Sequence, residues 1–183
     1  STLTSLTSAS FPKLESVDTL EWKVLPILSS VGLNKGIKKI NSIIMSDTSL
    51  TGFGGFNVDT LKTLRIDNNR FLERIESSVK EITDELIIAA NARNLEVAFP
   101  ELGWVKVAMI KDTKNLDLGG LQVVQSSAEF IENKFDTLSL PKLKSIGSTL
   151  SMINNKKLEN ADFSSLVEVG GGLMIIKNNN LKE

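Results

Sequence analysis

The chain holds 183 residues, enough for one domain with a substantial core. Apolar residues make up 41% and charged residues 23%, an ordinary globular balance. The net charge of −1, with Lys and Arg scattered along the length, leaves no basic footprint for nucleic acid or a polybasic membrane patch. Histidine and cysteine are absent, which excludes Ser-His-Asp chemistry, thiol catalysis, disulfides and the usual zinc sites.

No apolar run reaches the roughly 18 residues of a membrane-spanning helix, and no signal peptide or lipid-anchor tail is written. Ser1 opens the chain without a methionine and Glu183 follows a motif that has just restarted, so it reads as a piece of something longer, truncated at its C-terminal side.

Residues 1–41 are the least regular. Phe11 to Val17 (FPKLESV) forms half a repeat, and the apolar stretch Leu20 to Val31, broken by Pro26, predicts an atypical coil or a short capping helix. From residue 42 the chain repeats. Copies of apolar-x-apolar-x-x-Asn run LRIDNN at 64–69, LIIAAN at 86–91, VAMIKD at 107–112, AEFIEN at 128–133, LSMINN at 150–155 and LMIIKN at 173–178, after a weak SIIMSD at 42–47. Successive starts lie 22, 22, 21, 21, 22 and 23 residues apart. An apolar-x-x-apolar motif recurs in the gaps (Val58 and Leu61, Val79 and Ile82, Leu102 and Val105, Leu121 and Val124, Leu143 and Ile146, Leu166 and Val169), and a third apolar cluster follows each asparagine.

Segments this short and this strand-like leave no room for the helices of βα units. The expectation is one all-β solenoid over 1–183, a parallel β-helix with coils of about 22 residues: an irregular coil or cap at 1–41 and regular coils at 42–183. Each strand end must turn inward, where bare backbone N–H and C=O groups would be buried. An inward asparagine carries both an acceptor and a donor and can bond to the next coil. The predicted structural ladder is Asn69, Asn91, Asp112, Asn133, Asn155 and Asn178, with Asp112 needing compensation because an ionised carboxylate cannot donate. A bulge or one-residue slip is expected in 86–95, and a tight corner at Gly119-Gly120. Gly170-Gly171-Gly172 lacks the context of a phosphate-cradling loop and reads as a turn.

Strict alternation puts one row outside: Asp67, Ala89, Ile110, Ile131, Ile153, Ile176. Ile110, Ile131, Ile153 and Ile176 therefore form a candidate partner surface, with plain sheet-surface packing as the other reading. Trp22 and Trp104 are the only tryptophans; core filling and sugar stacking are both open, and exposure of Trp104 decides between them. Asp112 and Asp117 would suit metal-assisted elimination only in a cleft framed by long loops, which these coils lack, so no catalytic residue, metal or cofactor is expected. With no visible C-terminal cap, the open coil edge invites homo-association.

FPKLESVDTLEW, GFNVDTLKTLRIDNNRFLERI and the run from FIENKFDTL to MIIKNNN together resemble the fungal GPI-anchored cell-wall organisation proteins, including the sporulation-specific wall proteins. The most telling piece is L-x-K-L-x-x-I/V-G, a strand, then N-N-x-x-L, at 143–158 and again from Leu166. The resemblance implies a right-handed, leucine-rich β-helix of receptor L-domain type, secreted, on the wall or the outer face of the plasma membrane, held to membrane only through a lipid anchor, with no catalytic residues. Such proteins are rich in N-glycosylation sites, whereas this sequence has no N-x-[ST]. The function it implies is a non-enzymatic extracellular structural or interaction domain in wall organisation. A carbohydrate-binding module for wall glucan or chitin and a receptor-type ectodomain for a protein ligand are the alternatives. The partners in view are thus wall polysaccharide or a wall or membrane protein, and no nucleic acid.

Overall fold

The computed structural model describes residues 3–182. It is an all-β, parallel solenoid. Its main sheet stacks the long strands Ser16–Leu25, Lys39–Thr48, Thr60–Asp67, Glu81–Ala89 and Trp104–Lys111, every neighbour parallel. Beyond Lys111 each coil's long strand divides into two short ones: Val123–Val124 with Ala128–Ile131, Ser145–Ile146 with Leu150–Ile153, and Glu168–Val169 with Leu173–Ile176. A second sheet on another side joins Gly52–Gly54, Arg74–Glu76, Glu96–Ala98 and Asn115–Asp117; Thr137–Ser139 and Asn160–Asp162 pair farther on.

Among the described residues, the irregular start contains no helix. Leu20 to Val31 is extended through Leu25, turns at Pro26 and re-enters a strand at Ser30–Leu33, which pairs with Ser8–Phe11. Residues 16–25 therefore already form a coil, in register with 39–48.

Register builds the core. Leu20, Ile43, Leu64, Leu86, Ala108, Ala128, Leu150 and Leu173 lie side by side, as do Trp22, Met45, Ile66, Ile88, Ile110, Phe130, Met152 and Ile175. Apart from the terminal pair, these side chains are at most 9% exposed. Facing rows such as Phe53, Ile75 and Val97 complete the interior. Trp22 sits in this core, edge-on to Phe53 at 5.8 Å. At the other end, Leu173 and Ile175, inward by register in the last coil described, are 59% and 50% exposed.

One strand carries an extra residue, though earlier than the sequence suggests. Thr83 and Asp84 together oppose the single residues Lys62 and Lys106, a bulge in Glu81–Ala89 rather than in 86–95. Glycines allow the later coils to approach: a Cβ on Gly147 would run into the carbonyl of Gln125, and one on Gly170 into that of Gly147.

Candidate functional site

The strand ends are built alike in every coil. A residue in the left-handed region closes each long strand: Val24, Asp47, Asn68, Ala90, Asp112, Glu132, Asn154 and Lys177, with φ between 52° and 59°. This twist turns the next side chain inward: Leu25, Thr48, Asn69, Asn91, Thr113, Asn133, Asn155 and Asn178. For residues other than glycine such a conformation is costly, so something must hold it.

The amides do so. Asn155 Oδ1 accepts from the Asn133 backbone N–H at 2.9 Å and from Asn133 Nδ2 at 3.1 Å, while Asn155 Nδ2 donates to Phe130 O at 2.8 Å. Asn178 does the same for Asn155 and Met152 O. Asn133 takes the Thr113 N–H and donates to Ile110 O. Lower down, Asn91 serves Asn69 and Ile66 O, and Asn69 serves Thr48 and Met45 O. Each amide thus satisfies one N–H and one C=O of the coil before it, and none of the described buried side-chain polar atoms lacks a partner.

Asp112 is not in this row. It holds the left-handed position, half-buried, and accepts from Ala90 N at 3.3 Å; the inward place belongs to Thr113, fully buried. Thr113 has no amide, and its hydroxyl donates to Lys111 O at 3.3 Å. Among the described residues no acceptor meets the Asn91 backbone N–H, so the ladder is interrupted between these coils. The same slip moves Ile110. Its true outward neighbour is Lys111, in register with Ile131, Ile153 and Ile176, while Ile110 is fully buried beside Phe130. Val107-Ala108-Met109-Ile110 is apolar at both parities, so periodicity could not choose, and a one-residue shift exchanges the faces. The weak copy at 42–47 hides the same step, with Thr48 inward after Asp47. The shared Asp-Thr pair is the signal that would have found it.

The outer face of the long sheet therefore carries Ile131 and Ile153, half-buried, and Ile176, 41% exposed. A parallel outward row holds Ile87, Met109, Glu129, Ser151 and Met174. Trp104 also faces outward, half-buried between Glu81 and Val123.

Among the described residues no cluster of carboxylates could hold a metal ion. Asp112 closes a long strand while Asp117 ends a strand of the second sheet. The few displaced titrations belong to surface groups. Asn41 and then Thr19 hold the Asp18 carboxyl below its usual range, and Asp67 and Asp59 raise Arg65 and Lys80.

On the second sheet, a shallow trough runs across the coils. Three adjoining depressions of about 410, 300 and 220 Å³ share Arg74 as a wall.

No family profile matches the chain, and no solved structure matches it. Curated proteins do. Sporulation-specific protein 2 of Saccharomyces cerevisiae is 46% identical over 180 residues, 98% of this chain and 36% of that protein. Sporulation-specific protein 22 of the same yeast is 44% identical over 183 residues, 99% of this chain and 40% of its own length. The cell surface GPI-anchored protein ECM33 of Candida albicans is 32% identical over 157 residues, 85% of this chain and 38% of its own. The chain belongs to this fungal cell-wall and sporulation-specific family. The members matched here bear the names of wall, cell-surface and sporulation-specific proteins. The chain spans between about a third and two-fifths of the length of these three relatives.

Proposed function

We propose that this solenoid is a non-catalytic structural and interaction module of the fungal cell wall, working outside the cell and engaging a wall or membrane protein through the outer face of its long sheet. The observation that carries the reading is the aliphatic row Ile131, Ile153 and Ile176, which points away from a core already filled by Phe130, Met152 and their neighbours. Ile110 has no part in it. The relatives' names, a GPI-anchored surface protein and a cell wall mannoprotein among them, support the compartment.

The test is retention of the purified chain on isolated fungal walls, compared with the double variant Ile131→Lys/Ile153→Lys. Both positions are half-exposed, so the variant keeps its circular dichroism spectrum. It is expected to lose most of its retention. Unchanged retention by a folded variant rules this surface out.

A further inference from the structure

The second sheet faces a different direction and carries different chemistry. Its outward positions along successive coils are Gly52, Arg74, Glu96 and Asn115, then Gly54, Glu76, Ala98 and Asp117. Three of these strands are linked by one polar network of hydrogen bonds and an ion pair. Arg74 Nε and Nη2 donate to Glu76 Oε2 at 2.9 and 2.7 Å, and its Nη1 lies 3.6 Å from Glu96 Oε2. Asn115 Nδ2 then donates to Glu96 Oε1 at 3.0 Å. Ion pairs this exposed add little to folding, so stability does not explain why the groups are joined across the strands.

The network lies in the trough described above. One wall offers apolar carbon at Ala98 and Pro100, with Asn57 and Ser78 nearby. The floor is low toward the N-terminal side, where it is largely glycine. A Cβ on Gly52 would meet only a backbone oxygen at 3.8 Å, whereas Gly54 is required by the close Glu76 carbonyl and Gly55 by its φ of 76°. Four strands at about 4.8 Å spacing make the trough about 14 Å long, parallel to the solenoid axis. Its walls carry four carboxylates (Glu76, Glu96, Glu101, Asp117) against one guanidinium, which disfavours a polyanion.

We infer that this trough binds an extended, hydroxyl-rich polysaccharide without anionic groups. Its hydroxyls exchange hydrogen bonds with the Arg74–Glu96–Asn115 network, and its C–H faces rest on Ala98 and Pro100. Carboxylates and amides fixed in advance accept and donate to hydroxyls with little ordering cost, the usual economy of polar recognition. The inference rests on the wall reading given above and adds a second, polar face to it.

The test is titration of the purified chain with soluble β-1,3-glucan, chitin and chitosan oligosaccharides, and with dextran sulfate as the polyanion. Saturable binding of at least one of the first three, and none of dextran sulfate, is expected. Arg74→Ala and Glu96→Ala should each weaken it about tenfold or more, the loss of a charged hydrogen bond. Both variants should keep the wild-type urea midpoint, and Ile131→Lys/Ile153→Lys should bind the sugar as wild type does. No saturable binding of any of the three sugars, equal affinity in the trough variants, or dextran sulfate binding as tightly overturns the inference. Loss of wall retention in the stripe variant, with no saturable sugar binding by the unaltered chain, overturns the trough alone and leaves the wall module standing.

Discussion

Replacing Asn155 by alanine probes what the ladder does for stability. Asn155 is fully buried, and its removal strips the partner from the Asn133 backbone N–H and from Phe130 O, both inside the solenoid. Each orphaned group costs about 1–3 kcal/mol, so the variant should lose about 2–6 kcal/mol. Asn178→Ala breaks the same two kinds of bond, to Asn155 N–H and Met152 O. That coil is open on its far side, with Ile175 50% exposed, so water replaces the amide and the loss should be only about 0.5–1.5 kcal/mol. Urea unfolding followed by circular dichroism and tryptophan fluorescence compares the two, provided the slopes agree and the midpoints alone move. If Asn155→Ala costs no more than Asn178→Ala, the buried amides are not holding up the bends.

Three further outcomes follow from the geometry. Thr113→Asn should raise the unfolding midpoint, by about 1 kcal/mol, because the new amide can take the Asn91 N–H and donate to Ile88 O as its neighbours do; a drop in the midpoint would show the junction closed to it. Ile110→Lys should fail to fold while Ile131→Lys folds normally, judged by soluble yield and circular dichroism, since only the first buries a charge; the reverse result would return Ile110 to the outer face. Gly147→Ala should destabilise by about 1–3 kcal/mol or more in the same urea assay, because the obstacle is the Gln125 backbone carbonyl rather than a yielding side chain; a neutral result would mean the coils stand farther apart there.

The solenoid was legible because a coil of about 22 residues repeats both its apolar positions and its corner amide, and these two signals reinforce one another. The class survives any single misaligned coil. Residue-level placement does not. Where LSMINN offers serine and asparagine as markers, VAMIKD offers four apolar residues in a row, and both registers bury acceptable side chains. The even starts of 21 and 21 residues then favoured the wrong one, whereas the paired rows step by 22 and 20, from Leu86 to Ala108 to Ala128. Aspartate also resembles asparagine more than threonine does, which drew the ladder to Asp112.

The left-handed residue before each amide carries no uniform letter, running through Val24, Ala90, Glu132 and Lys177, so no sequence rule reveals it. The trough was invisible for a different reason. Arg74, Glu96 and Asn115 lie about a coil apart in sequence and become one network only once strands from three coils stand side by side.

The central claim, that stacked side-chain amides hold the strand ends that carry them, is tested most directly by hydrogen exchange at the ladder's own backbone N–H groups. Those of Thr48, Asn69, Thr113, Asn133 and Asn155 each donate to the amide oxygen of the following coil and should exchange slowly. Asn91, whose next coil presents Thr113 instead, should exchange markedly faster although it lies in the middle of the same row. Equal protection at Asn91 and its neighbours, or fast exchange at Asn133 and Asn155, would contradict the account.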